Sequence, residues 1–382
     1  MDNQEIIPES FFIDTTSVNL LGPNYNPLCL PLAFANHNYT KQVMAKSIFF
    51  YFLKNKHDKI VFPQFVEGLN ASALFYIDDI VKILHHTYKI PLDKFVYFTS
   101  CFPVESNLKA YKKIVSDYNL LELPIYFTNC YEYFAIVDAI KNIELINGKT
   151  LSYETKERPF LFLNGQARAH RIIMIGEIFA RNIHPFTFLS CYDNDIMEQA
   201  RSARWVVDKQ VFGPRFFRLF YEIETRKEIF PLKLTGNNVH DYSLEDHDLY
   251  KKSYISIVSE TDFFQIHYQN KTVSFNCTYP TEKTFRPIKA RHPFIIASRP
   301  HFLKHLRSQG YKTFHPHINE YYDDLDNDEQ RMTAIVSEME RLSKYSDEEW
   351  ASFLYHTNHI CQHNFETLIL KEPHMNIKQL VQ

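Results

Sequence analysis

A length of 382 residues, 45% of them hydrophobic and 23% charged, suits two globular domains better than one. The net charge of −3 excludes a general polyanion-binding coat, and no apolar run reaches the roughly 18 to 20 residues that a bilayer span requires. The eight glycines, at 22, 68, 148, 165, 176, 213, 236 and 310, exclude both Gly-x-Gly-x-x-Gly and a Walker loop. Any phosphate must then be held by helix N-termini and by Arg or Lys side chains. The opening "MDNQEIIPES" lacks the basic and apolar regions of a secretory signal, so an intracellular, cytoplasmic location is expected. Cys29, Cys101, Cys130, Cys191, Cys277 and Cys361 form no Cys-x-x-Cys pair, so free thiols and no zinc knuckle are expected.

The first predicted helix runs through "YTKQVMAKSIFFYFLKN". A strand–helix rhythm follows. "KIVFPQF", "KFVYFTSCF" and "LPIYFTN" read as strands, alternating with helices through "SALFYIDDIVKILHHTY", "ESNLKAYKKIVSDY" and "YEYFAIVDAIKNIELI". Such alternation implies a parallel sheet covered on both faces. The polar "NGKTLSYETKERP" breaks the rhythm and places a domain boundary near 155. It restarts with strand "FLFLN", helix "ARAHRIIMIGEIFARN", strand "FTFLSCY" and a helix through "NDIMEQARSARWVV". Strands "SYISIVSE" and "PFIIAS" come next, then helix "PHFLKHLRSQ" with Pro300 in its first turn and Gly310 as its stop. Two long helices close the chain, the second opened by the capping box "SDEE", Ser346 to Glu349.

Ligands of open α/β sheets bind where strands end and helices begin, which selects a few junctions. Asn164 and Gly165 end a strand, and Arg168, His170 and Arg171 crowd the next helix start, where cations oppose the macrodipole unless an anion is present. Glu260 ends another strand, where a carboxylate can accept from both hydroxyls of a ribose. Thr281 is a plausible N-cap that puts Glu282 and Lys283 in a first helical turn, and Pro287 is expected to kink or shorten that helix. In the first half Glu67, after a strand and before Gly68, is the candidate general base, against the simpler reading of a solvated turn acid. Two metal readings, the Asp193–Asp195 loop and the His315, His317, Glu320, Asp323, Asp324 group, are weaker than their structural alternatives, so no metal is expected.

A strand ending in Glu260, then Tyr279-Pro280-Thr281-Glu282-Lys283, a short helix and the proline-led strand Pro293 to Ser298 resemble the donor-binding segment of α1,3-fucosyltransferases. The resemblance implies that the glutamates hold the ribose of a nucleotide sugar. Lys283 and an arginine, Arg168 or Arg171, hold its diphosphate, with Tyr279 and Thr281 completing the segment. Thr261 stands where the family has Asn, the spacer before Tyr279 is longer, and Pro287 interrupts the helix, so the nucleotide stays open. "LNGQARAHR" and "GYKTFHPHINEYYDD" are also similar to segments of phage and large-virus proteins, which would place the chain in a host cytoplasm.

The resulting expectation is an α/β fold of two facing doubly wound Rossmann-like domains, the GT-B arrangement, with long C-terminal helices. Residues 1–155 would bind the acceptor, 156–345 the nucleotide sugar, and 346–382 would pack back on the first domain. The expected activity is glycosyl transfer from a nucleoside diphosphate donor to an acceptor hydroxyl, with no metal or cofactor. The alternatives are a phage-type transferase acting on a modified DNA base, with Arg201 to Trp205 and Gly213 to Arg218 as the modest basic segments, or a non-catalytic viral interaction protein with a transferase-like fold.

Overall fold

The computed structural model describes residues 7, 27–29, 39–64, 71–102, 104–127, 130–141, 155–165, 168–191, 215–226, 247–264 and 278–371. The chain divides into two compact units, one of Met1–Tyr133, Ile266–Tyr279 and Pro373–Gln382, the other of Phe134–Gln265 and Pro280–Glu372. The chain therefore passes from one unit to the other more than once, where the sequence reading had single boundaries at 155 and 345.

The first unit opens with a strand that the sequence reading lacked, β1 (Pro27–Cys29), and then follows the predicted rhythm: α1 (Lys41–Lys54), β2 (Lys59–Gln64), α2 (Ala71–His86), β3 (Phe95–Thr99), α3 (Glu105–Asp117) and β4 (Ile125–Phe127), with α4 (Cys130–Lys141) running across the division. Its four strands are parallel and lie in the order β1-β2-β3-β4. Alternate strand residues Ile60, Phe62, Phe95, Tyr97 and Phe127 share one core with Met44 and Ile48 of α1, Ile77, Ile80 and Leu84 of α2, and Tyr111 and Ile114 of α3. Three helices on one face is what right-handed crossovers produce when each new strand is added on the same side. Among the described residues this sheet is thus wound in a single direction, and the double winding expected of both halves is seen in only one.

The second unit contains β5 (Arg158–Phe162), α5 (Ala169–Ala180), β6 (Thr187–Leu189), α6 (Arg215–Glu224), α7 (His247–Lys251), β7 (Ser253–Ser259), α8 (Glu282–Lys289), β8 (Phe294–Ala297), α9 (Phe302–Ser308), α10 (Asp328–Leu342) and α11 (Asp347–Leu370). Its parallel strands lie in the order β6-β5-β7-β8, so the chain moves outward from β5 to β6 and then returns to β7 on the other side. Every residue of β7 is buried, as a strand covered on both faces requires. Ten consecutive residues of α5, His170 to Phe179, are buried as well, which fits a helix packed on all sides. One side of α5 meets α6 so closely that a Cβ on Gly176 would lie 2.9 Å from Leu219 Cβ.

Helix α11 begins with the predicted capping box, Ser346 and Glu349 exchanging bonds. Within its own unit Trp350 stacks on Tyr254 at 4.3 Å, Arg291 lies over Phe365, and Asn364 exchanges two hydrogen bonds with the backbone of Lys312. Helix α9 starts at Phe302 rather than at Pro300, with His301 at φ 63° before it, and ends at Ser308, with Gly310 at φ 91° just after its C-cap Gln309. Cys101 is disulfide-bonded, contrary to the expectation of free thiols, while Cys191 and Cys361 are free and buried. Among the described residues no helix is long and apolar enough to cross a membrane.

Candidate anion-binding site

The reversal between β5 and β7 is a topological switch point, and the loops leaving these adjacent strands diverge at their carboxyl ends to leave a crevice. Two helix N-termini lie at this edge, α5 after β5 and α8 ahead of β8. The second unit thus brings Asn164, Arg168, Arg171, Glu260, Thr281, Glu282 and Lys283 to one edge of one sheet.

Glu260 is 1% exposed, and all of its hydrogen-bonding capacity is used within the chain. One carboxylate oxygen accepts from Thr281 N–H (3.0 Å) and Thr284 Oγ1 (2.5 Å), the other from Thr281 Oγ1 (2.6 Å) and Thr261 N–H (3.2 Å). Its main-chain carbonyl receives His170 Nε2 at 2.9 Å. With four donors already in place, the carboxylate has no lone pair left for a ribose. Glu260 positions the start of α8, and the direct ribose contact read from the sequence gives way to this role. Thr281 is the predicted N-cap, and its partner Thr284, one turn on, is a site residue that sequence reasoning missed. The Thr281, Thr284 spacing of three was the available signal, since it puts both hydroxyls on one side of the helix start.

The cations are arranged differently. Lys283 Nζ lies 2.9 Å from Glu282 Oε1 and 3.0 Å from Thr281 Oγ1, with 22% of its side chain exposed. Arg171 is buried and donates to the carbonyls of Ser259 and Glu260 at 3.3 and 3.4 Å, while Arg168, the residue before α5, is exposed. Burial and the neighbouring Arg168 bring the Arg171 guanidinium down to about 10. His170 is pushed well below its ordinary range, first by burial and then by Arg171, Arg168 and Lys283, so it is neutral. Burial pushes Glu282 up, but Lys283 and Arg286 outweigh it and hold the carboxyl below its usual value. Among the described residues Arg168, Arg171, Lys283 and Arg286 act on this edge together with the carboxylates Glu260 and Glu282.

A small cleft with free space of about 30 Å³ opens between α8 and the sheet. Its floor is Leu161, Leu163 and Val258, and Ser259, Lys283 and Arg286 line it with Pro287. Pro287 is the sixth residue of an eight-residue helix that continues to Lys289, so the expected break does not occur. Only one backbone donor is lost.

The remaining sequence candidates either serve the fold elsewhere or lie outside the described residues. Tyr279 is buried in the core of the first unit. Glu67, Asp193 to Asp195 and Arg201 to Trp205 lie outside the described residues. Glu320 accepts from Thr313 Oγ1, Phe314 N–H and Arg307, and Asp323 accepts from the N–H groups of Leu303 and Lys304, so both carboxylates serve the local fold. Among the described residues no group of three His, Cys, Asp or Glu could hold a metal ion. No family model, curated protein or solved structure matches the chain.

Proposed function

We propose that the chain is a glycosyltransferase whose second unit holds the diphosphate of a nucleoside diphosphate sugar. The observation that carries this reading is the convergence of Arg168, Arg171 and Lys283 on His170, at a switch point, with one carboxylate saturated by internal donors. Cations clustered beside the N-terminus of α5, in a chain without a glycine loop, suit a bound diphosphate and offer the leaving group compensation as the glycosidic bond breaks. The resemblance of the Tyr279 to Lys283 segment to α1,3-fucosyltransferases supports the same reading, with Glu260 reassigned from ligand contact to support of Thr281 and Thr284. In this proposal the two units act as the domains of a GT-B enzyme. Glu67 is the base that takes the acceptor proton, and the cations replace a metal.

Calorimetric titration of wild type, Lys283→Ala and Arg168→Ala with inorganic pyrophosphate, UDP and GDP tests the proposal. Each exposed or half-exposed cation should contribute about tenfold in affinity, the size of a charge-assisted hydrogen bond. Unchanged binding in both variants would sink it. Absence of any binding by the wild type would favour the non-catalytic alternative.

A further inference from the structure

Two polar side chains at this edge have no hydrogen-bond partner. Asn164 is 2% exposed with both Nδ2 and Oδ1 unpaired, and Ser259 is 3% exposed with Oγ unpaired. The register of β5 and β7 pairs Leu161 with Ser256, and the same register continued two residues past the end of β5 would bring Asn164 level with Ser259. Their backbones are held: Asn164 N–H donates to Ser190 Oγ at 3.1 Å, and Ser259 C=O accepts from Arg171. A buried polar group without a partner forfeits its bonds to water, so native chains rarely keep two such groups together. Glu260, the next residue, shows that this edge can saturate a buried group when only the fold is served. Ser259 is also among the residues that line the cleft bordered by Lys283 and Arg286.

We infer that Asn164 and Ser259 are the uncharged half of the donor site, hydrogen-bonding a ligand hydroxyl next to the diphosphate. This rests on the diphosphate reading above. The chemistry of the unmet groups selects the ligand group. A phosphate oxygen only accepts, and would leave Asn164 Oδ1 without a donor; an apolar group would satisfy neither residue. A hydroxyl donates to Oδ1 and accepts from Asn164 Nδ2 or from Ser259. A nucleotide sugar carries such hydroxyls on its ribose and on the transferred sugar.

The test compares wild type, Asn164→Leu and Ser259→Ala by calorimetry with inorganic pyrophosphate, UDP, GDP, UDP-glucose and GDP-fucose, and by thermal unfolding without ligand. Pyrophosphate binding should stay within about twofold in both variants, while a hydroxyl-bearing ligand that the wild type binds should weaken about tenfold. Weakening already at the nucleoside diphosphate assigns the ribose; weakening confined to the nucleotide sugar assigns the transferred sugar. Ligand-free Asn164→Leu should melt no lower than wild type, because it loses two unmet groups. Ser259→Ala, which removes one oxygen, covers the case in which the leucine does not fit. Unchanged binding of every hydroxyl-bearing ligand, or equal weakening of pyrophosphate, overturns the inference while the diphosphate reading stands. Wild-type protein that binds pyrophosphate but no nucleotide does the same. Wild-type protein that does not bind pyrophosphate overturns the diphosphate reading first, and this assignment with it.

Discussion

Among the described residues the two sheets have four parallel strands each, yet they treat charge in opposite ways. In the first unit one charged residue, Asp78, is buried among those described, and it is bonded to Leu121 N–H and paired with Lys82. In the second, His170, Arg171, Glu177, Glu260, Lys289, His292, Arg299, Arg331 and several carboxylates are buried. The difference follows the winding. A sheet that adds strands in one direction closes over a hydrocarbon core, whereas one that reverses leaves a crevice whose ends need fixed backbone and fixed polar groups. Buried charge is unfavourable unless paired and hydrogen-bonded, so its concentration marks where geometry is being held.

The strongest way to break this contrast is Arg331→Met. Arg331 is 1% exposed, pairs with Asp328, and donates to the carbonyls of Ser298 (3.0 Å), Leu325 (2.7 Å) and Phe263 (2.6 Å) while covering the Phe263 ring. One guanidinium therefore ties the loops after β7 and β8 to α10. Its removal leaves three acceptors and a buried carboxylate unmatched, an expected loss of about 3 to 5 kcal/mol in urea unfolding. A loss below about 1 kcal/mol would show that buried charge does not hold the second unit together.

Glu260→Ala should come next. It strips the partners from two threonine hydroxyls and the Thr281 N–H at the start of α8, and from the Thr261 N–H just after β7. We expect about 2 to 4 kcal/mol of destabilisation together with weakened pyrophosphate binding, because Lys283 shares Thr281 with it. If stability falls while binding is kept, Glu260 is a core residue alone.

These two residues also show what sequence can and cannot reveal. The strands and helices were legible because burial periodicity and caps are local: the Ser346–Glu349 box, the Thr281 cap and the Gly310 stop all stand where their chemistry puts them. Strand order was not legible, since nothing local in β1 to β4 says that these strands follow one another in a single direction. Glu260 was legible as a strand-end acid. Its saturation was not, because Thr281 and Thr284 lie 21 and 24 residues away in sequence. Arg331 carried no signal at all, being one polar residue on an amphipathic helix until the fold surrounds it.

Acid should then separate the units. His292 donates from Nε2 to Ser253 C=O and accepts at Nδ1 from Ser256 Oγ, both at 2.8 Å, and burial pushes it down to about 3. His170 is likewise depressed by burial. Both belong to the second unit. An unfolded histidine takes up its proton near pH 6.5 and the folded ones refuse it, so stability is flat above that pH and falls below it. The slope is about 1.4 kcal/mol per pH unit for each histidine. Burial raises Glu320 and Asp323, which oppose the trend at lower pH, so the cleanest window is from pH 7 to about 5.5. Hydrogen exchange should show protection falling over β7 and β8 there while β2 and β3 keep theirs. Equal loss in both units would contradict the comparison.

The smallest effect sharpens the contrast from the other side. In the first unit the loop after β3 is fixed by a neutral group, Asn107, which is fully buried on α3. It donates to the carbonyls of Phe102 (2.8 Å) and Thr278 (3.2 Å) and accepts from Thr278 N–H, while Phe102 N–H donates to the same Thr278 carbonyl. Asn107→Ala should lower stability by about 1 to 3 kcal/mol, since it removes uncharged bonds and strands no buried charge. Pyrophosphate affinity should be untouched, because no cation of the second unit depends on this amide. A change in affinity as large as that of Lys283→Ala would mean that the first unit governs the anion site, and the two sheets could no longer be treated as one that packs and one that binds.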